Sequence, residues 1–124
     1  MQVDETIFRA YDIRGIYEKQ ITEEFAYKLG RAFATLNKGK IVIGRDGRIG
    51  GNELRNALVK GLLESGADVV DIGIVPTPLV IFSIGYYKYH GGICITASHN
   101  PKEYQGFLLY NKNCLGIGLE NGLE

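Results

Sequence analysis

Apolar residues recur along the chain at two spacings, one helical and one strand-like, and the alternation between them predicts the elements. From Thr22, the run TEEFAYKLGRAFATL places Phe25, Leu29, Phe33 and Leu36 about one turn apart, the pattern of a helix with one apolar face. Thr22 is suited to cap its start, Glu23 and Glu24 favour the positive end of its dipole, and Asn37 to Gly39 closes it. KIVIG at 40–44 then reads as a short buried strand. A second helix is expected from about Asn52, with Leu54, Leu58 and Leu62 on one side and Gly66 just past its end. ADVVDIG at 67–73 is the next strand. Thr77 and Pro78 form a cap followed by the one helical position where proline costs nothing, because its missing N–H would have had no partner. The helix they open, LVIFSIGYY, is apolar nearly all round, which predicts packing on both sides. Gly91 and Gly92 release the chain into ICITA, a third buried strand, and YQGFLLY at 104–110 is a fourth.

Helices alternating with short apolar strands imply an α/β fold, a three-layer helix-sheet-helix sandwich with a mixed, mostly parallel sheet of about four strands. No internal repeat, low-complexity segment or linker interrupts it, and only the tail LGIGLENGLE reads as loose. In such sheets ligands bind beyond the C-terminal ends of the strands. Three connections are expected there on one edge of the sheet: GRDGRIGG (44–51), VPTP (75–78) and ASHNP (97–101).

At 124 residues the chain is one domain's worth, and its 45% hydrophobic and 23% charged residues are those of an ordinary globular protein. The 14 basic residues are balanced by 14 acidic ones, so no large positive field attracts nucleic acid or an anionic membrane. No apolar run approaches the ~20 residues that span a bilayer, and MQVDETIFRA is acidic and polar where a signal peptide would be basic and then apolar. A cytoplasmic location is the simplest expectation. Cys94 and Cys114 are far apart and lack the paired spacing of a zinc site, so they read as reduced thiols.

Ser98 follows the last strand-like residue and precedes Asn100-Pro101, which ends a ladder and favours a turn, so its hydroxyl would be lifted out of the sheet into a crevice. The competing explanation is that Ser, His, Asn and Pro are simply loop formers that satisfy backbone groups locally. A serine hydrolase is disfavoured, since the G-x-S-x-G elbow is missing and the neighbours Ser98 and His99 do not make a triad. A nucleotide fingerprint at Gly116, Gly118 and Gly122 is one residue too long and leaves no room for its helix. FRAYDIRG at 8–15 packs Arg9, Asp12 and Arg14 around Tyr11, a composition suited either to phosphate or carboxylate recognition or to an ion pair tacking down the N-terminal arm. Arg45-Asp46-Gly47-Arg48 reads as a turn with solvated charges, in preference to a binding element.

Taken together, TASHNP followed by a tyrosine and Gly-Phe, FRAYDIRG at the start, GRDGR in the first helical connection and VPTP before the third helix resemble, in the same order, the α-D-phosphohexomutases, the phosphomannomutase/phosphoglucomutase superfamily. The likeness spans residues 7 to about 111 and is closer to the phosphomannomutases/phosphoglucomutases than to the phosphoglucosamine mutases. It implies an isomerase domain in which Ser98 carries a phosphoryl group, gives it to a hexose monophosphate and receives one back after the bisphosphate intermediate reorients. It also implies that Tyr11 and Arg14 line the site with Arg14 balancing phosphate charge, that His99 contacts phosphate or substrate, and that Asn100 and Pro101 shape the loop. Magnesium would be the cofactor, with the phosphate on Ser98 as one ligand and most others in a second domain. The implied partners are mannose or glucose 1- and 6-phosphates, their 1,6-bisphosphates and the remaining domains of a mutase.

Two departures qualify the implied function. Where the family usually reads NGFK, this chain has Gln105-Gly106-Phe107-Leu108, and Leu108 cannot exchange the proton that the family's lysine handles. Lys112 is four residues on, ~13 Å along an extended strand, so Lys102 is the candidate surrogate and substrate contact. Family enzymes also have four domains, the second supplying an aspartate-rich magnesium loop, the third reading the sugar and the fourth binding its phosphate. Residues 1–124 are therefore expected to be the first domain alone, cut short of its last helix, with the other three absent and negligible turnover in isolation. The alternative is a non-catalytic module derived from that domain, which binds a phosphorylated ligand or regulates a partner.

Overall fold

The computed structural model describes residues 12–48, 50–96 and 104–113. In chain order they form β1 (Asp12–Ile16), α1 (Glu23–Leu36), β2 (Lys40–Arg45), α2 (Gly51–Glu64), β3 (Asp68–Ile74), α3 (Thr77–Tyr87), β4 (Gly91–Ile95) and β5 (Tyr104–Asn111). The strands make one sheet in the order β1-β5-β4-β2-β3. β2 pairs in parallel with both β3 and β4, whereas β5 runs antiparallel to β4 and to β1. The expected three layers are present, with five strands where about four were expected and parallel and antiparallel pairings in equal number.

The additional strand is β1, DIRGI, which carries no clear alternation in sequence. It forms because β5 offers a pairing edge and because Ile13 inserts fully into the core. Strand β5 starts at Tyr104, beyond the C-terminal end of β4, and runs back down the sheet, so its partner β1 points the same way as β2 and β4.

The period-2 alternation of β2 divides its side chains between two cores. Ile41 and Ile43 join Ile93, Ile95 and Phe107 under α1 and α2, against Phe25, Phe33, Leu54, Leu58 and Leu62. Val42 and Cys94 face the other way, against Val80 and Ile84 of α3. Thr22 caps α1 as expected, its Oγ1 accepting from the Phe25 N–H at 3.0 Å. The apolar stripe of α1 ends sooner than its spacing predicts. Leu36 is 72% exposed, and it borders a depression beside His90 and Asn111.

Helices α1 and α2 approach until their backbones nearly touch. A Cβ on Gly61 would collide with the carbonyl oxygen of Tyr27, and one on Gly30 with that of Leu58. Leucine periodicity therefore chooses the buried face of α2, while these two glycines set the distance between the helices.

The start and surroundings of α3 differ from expectation. Pro76, with no side-chain cap, precedes the helix, and Thr77 and Pro78 are its first residues. Its buried residues are Val80, Ser83 and Ile84, while Leu79, Phe82, Tyr86 and Tyr87 are exposed. Phe82 stacks on Tyr86 and Tyr87 on Tyr89, with ring centroids 5.3 and 5.5 Å apart. The expected packing on both sides fails because, among the described residues, α3 is the only helix on its face of the sheet.

Candidate functional site

The C-terminal ends of β2 and β4 lie side by side, with Arg45 level with Ile95. Beyond them a cleft of about 400 Å³ opens on the α3 face, lined by Asp46, Val75 to Pro78, Cys94 and Thr96. Two of the three connections expected on this edge, 44–51 and 75–78, meet here. Residues 97–103, the heart of the third, lie outside the described residues, but Thr96 and Tyr104 on either side of them are described.

Beneath Val75 of the cleft wall, α3 and its leading segment press on Gly44. A Cβ there would come within 2.6 Å of Val80 Cγ2 and 2.8 Å of Val75 Cγ2. The next residue but one, Asp46, is the hub of the rim. Its N–H donates to the Ile95 carbonyl at 3.1 Å. Its Oδ2 accepts from the Thr96 hydroxyl at 2.6 Å and from Arg48 Nε at 3.1 Å, and its Oδ1 accepts from the Arg48 N–H at 3.1 Å. The Arg48 and Asp46 side chains are 15% and 31% exposed. The expected turn of solvated charges is therefore an engaged ion pair turned onto the end of β4. Its partner Thr96 is fifty positions away in sequence, so local turn chemistry gave no signal for the pairing.

Deeper in the cleft Thr77 Oγ1 lies 3.3 Å from Cys94 Sγ. Burial raises the Cys94 pKa, with a further rise from the nearby Asp46 charge, and the Thr77 contact lowers it only in part. Cys94 is 1% exposed, a reduced and inert thiol in agreement with expectation. Cys114 lies outside the described residues.

Of the expected site residues, Tyr11, Ser98, His99 and Lys102 lie outside the described residues. Arg14 is on β1, opposite Gly106 of β5. The Gly106 carbonyl in turn accepts from the Thr96 N–H at 2.9 Å. Arg14 and Thr96 thus occupy neighbouring levels on either side of Gly106, and Thr96 is two residues before Ser98 in the chain. Leu108 packs against the apolar cluster of Val42, Val80, Ile84 and Cys94. Lys112 borders a depression of about 260 Å³ with Lys38, His90 and Asn111. That depression is at the opposite edge of the sheet, since Asn111 pairs with Gly91, the first residue of β4. Lys112 is therefore remote from the cleft.

Among the described residues no group of three or more His, Cys, Asp or Glu side chains is placed to hold a metal ion. Nor is any helix among them long and apolar enough to cross a membrane.

Residues 5–121 match the family model for phosphoglucomutase/phosphomannomutase, alpha/beta/alpha domain I. The chain is 44% identical over 120 residues to a phosphoglucomutase/phosphomannomutase from Thermococcus kodakarensis, a match covering 92% of this chain and 26% of that protein. It is 47% identical over 118 residues to a probable phosphoglucosamine mutase from Pyrococcus abyssi, covering 94% of this chain and 26% of that one. The fold is also that of a phosphoglucomutase/phosphomannomutase family protein from Burkholderia thailandensis. There the TM-score is 0.83 at 36% identity, over 94% of this chain and 28% of that one. The chain thus spans about a quarter of the length of these proteins. A sheet of this topology, a cleft at its strand ends and a family match over nearly every residue lead to one assignment: the chain belongs to the phosphoglucomutase/phosphomannomutase family, as its α/β/α domain I.

Proposed function

We propose that this domain carries the phosphoserine of a hexose-phosphate mutase, with Ser98 as the phosphoryl relay between the 1- and 6-positions of mannose or glucose. The observation that carries this reading is the register that sets Arg14 across Gly106 from Thr96, two residues ahead of Ser98. Phosphoryl transfer asks a protein mainly for positioning and charge neutralisation, and a segment leaving the sheet at the end of β4, with an arginine position one strand further across at the same level, is a framework suited to both. In the forward step a sugar hydroxyl oxygen bonds to phosphorus as the Ser98 Oγ–P bond breaks, the hydroxyl proton passes to a base, and Ser98 Oγ takes up a proton to leave as the free hydroxyl. After the bisphosphate turns over, the reverse step returns the other phosphoryl group to Ser98. His99, Tyr11 and Lys102 are assigned to phosphate and substrate contact, with Lys102 as the proton-handling surrogate.

Asp46, the carboxylate in the cleft, is already committed to Thr96 and Arg48. The described residues therefore do not fit a magnesium ion, and no step of this relay is routed through one. Any magnesium would depend on the phosphate on Ser98 and on groups in a further domain.

Incubation with glucose 1,6-bisphosphate followed by intact-mass measurement tests the relay. One added phosphoryl group is expected on the unsubstituted protein and none on Ser98→Ala, with negligible turnover by the 124-residue chain alone. Because the chain spans about a quarter of the length of the Thermococcus kodakarensis and Pyrococcus abyssi proteins, the same measurement is made on a fusion carrying the remainder of such a relative. Absence of labelling in both would overturn the assignment.

The packing of Leu108 against an apolar cluster favours a second reading, a module that binds a phosphorylated ligand without turnover. Saturable binding of glucose 1,6-bisphosphate with no covalent label in either form would select it.

A further inference from the structure

We infer that Asp46 is a positioning residue for the segment bearing Ser98, holding the strand ends on both sides of residues 97–103 through its own carboxylate and through Arg48. The inference rests on the reading of Ser98 as the phosphoryl relay. On the entry side, Thr96 is held twice, its N–H to the Gly106 carbonyl at 2.9 Å and its hydroxyl to Asp46 Oδ2 at 2.6 Å. On the exit side, Arg48 Nη1 reaches the Tyr104 carbonyl at 3.5 Å while Arg48 Nε remains on Asp46. Asp46 is itself fastened to β4, since its N–H donates to the Ile95 carbonyl at 3.1 Å.

The arrangement forms a closed loop of interactions. The carboxylate binds the residue that leaves β4, and the guanidinium it orients reaches the residue that begins β5. A carboxylate acceptor makes both side-chain bonds charge-assisted, roughly twice as strong as neutral ones. The Thr96 bond, at 2.6 Å, is short even for a hydroxyl donor. Relays of this kind lose rate when the donor atom moves by a fraction of its bond length, so fixing both ends of a short segment serves the reaction itself. The GRDGR connection thus contributes through the ends of the relay segment.

The variants Thr96→Val, which removes the hydroxyl at nearly constant shape, Asp46→Asn and the restoring Thr96→Ser are compared in the full chain and in the fusion. Amide hydrogen exchange reads the segment directly. Peptides covering 97–103 are expected to exchange about tenfold faster in Thr96→Val and Asp46→Asn, with β2 and β4 peptides unchanged and Thr96→Ser near the parent. The rate of phosphoryl transfer from glucose 1,6-bisphosphate to Ser98 is expected to fall about 10- to 100-fold at saturating donor, with half-saturation changed less than about threefold. Unchanged exchange in 97–103 together with an unchanged transfer rate in both variants would overturn the inference. A parent protein that takes no phosphoryl group sinks the relay instead, and the positional claim is then decided by exchange alone.

Discussion

At the scale of single residues, Asp46 and Cys94 show how one cleft treats two side chains differently. Asp46 keeps contact with water and gathers donors, whereas Cys94, two residues from Thr96, is closed off beneath it. Burial places the folded-state pKa of the Cys94 thiol above its ordinary value of 9.0. A group whose pKa is raised on folding contributes stability that is fully present below the unfolded value and is lost as pH rises through the folded one. Urea unfolding of the parent against Cys94→Ala should therefore show a stability difference that is constant from about pH 6 to 8 and shrinks above about pH 9. A difference that grows above that pH would contradict the burial argument. Alkylation of Cys94 in the folded protein should likewise be slow at neutral pH, because the thiolate is the nucleophile and the thiol is closed off from solvent.

At the scale of elements, the three helices and four of the five strands were legible. Thr22 as cap, Leu54, Leu58 and Leu62 as a buried stripe and Gly66 beyond the end of α2 were all readable, because capping and helical spacing are local properties. The interhelical approach was not, since Gly30 and Gly61 read in sequence only as weak helix formers. Their role lies in what a side chain would strike on the other helix. Gly61→Ala is expected to destabilise the fold by about 1–3 kcal/mol despite raising helix propensity, because the new methyl meets backbone that cannot rotate away. Thr22→Ala should cost about 1 kcal/mol through loss of the cap. Thermal or urea unfolding checks both, and a stabilising Gly61→Ala would show that the helices can separate at little cost. Strand β1 stayed hidden because DIRGI has only Ile13 fully in the core and takes its stability from the edge of β5.

At the scale of the molecule, the two faces of the sheet are covered unequally. One bears α1 and α2 over a large core, and the other bears α3 over a small one. A helix apolar nearly all round therefore presents Phe82, Tyr86 and Tyr87 outward, 58%, 67% and 60% exposed. Replacing Phe82 and Tyr86 together with lysine should change the unfolding free energy of the chain by less than about 1 kcal/mol, as surface substitutions do. Ile84→Ala, on the covered side of the same helix, should cost about 2–5 kcal/mol. Equal losses in urea unfolding would mean that the outward rings carry packing energy. The site divides in the same manner. The strand-end position of the 44–51 and 75–78 connections and the order of the four motifs were visible along the chain, while the Asp46–Thr96–Arg48 assembly required β2 and β4 to become neighbours.

Sequence alone determined the properties that depend on residues close together in the chain: the capped and amphipathic helices, the alternating strands, the three-layer class and the family motifs. Tertiary structure decided which strand stands beside which, how near two helices come, which side of α3 meets water and which hydroxyl a carboxylate holds. The physical reason is one of range. Propensity, capping and periodicity act over a few residues, whereas those later choices are made by contacts between segments tens of residues apart, whose energies exist only once the sheet has assembled.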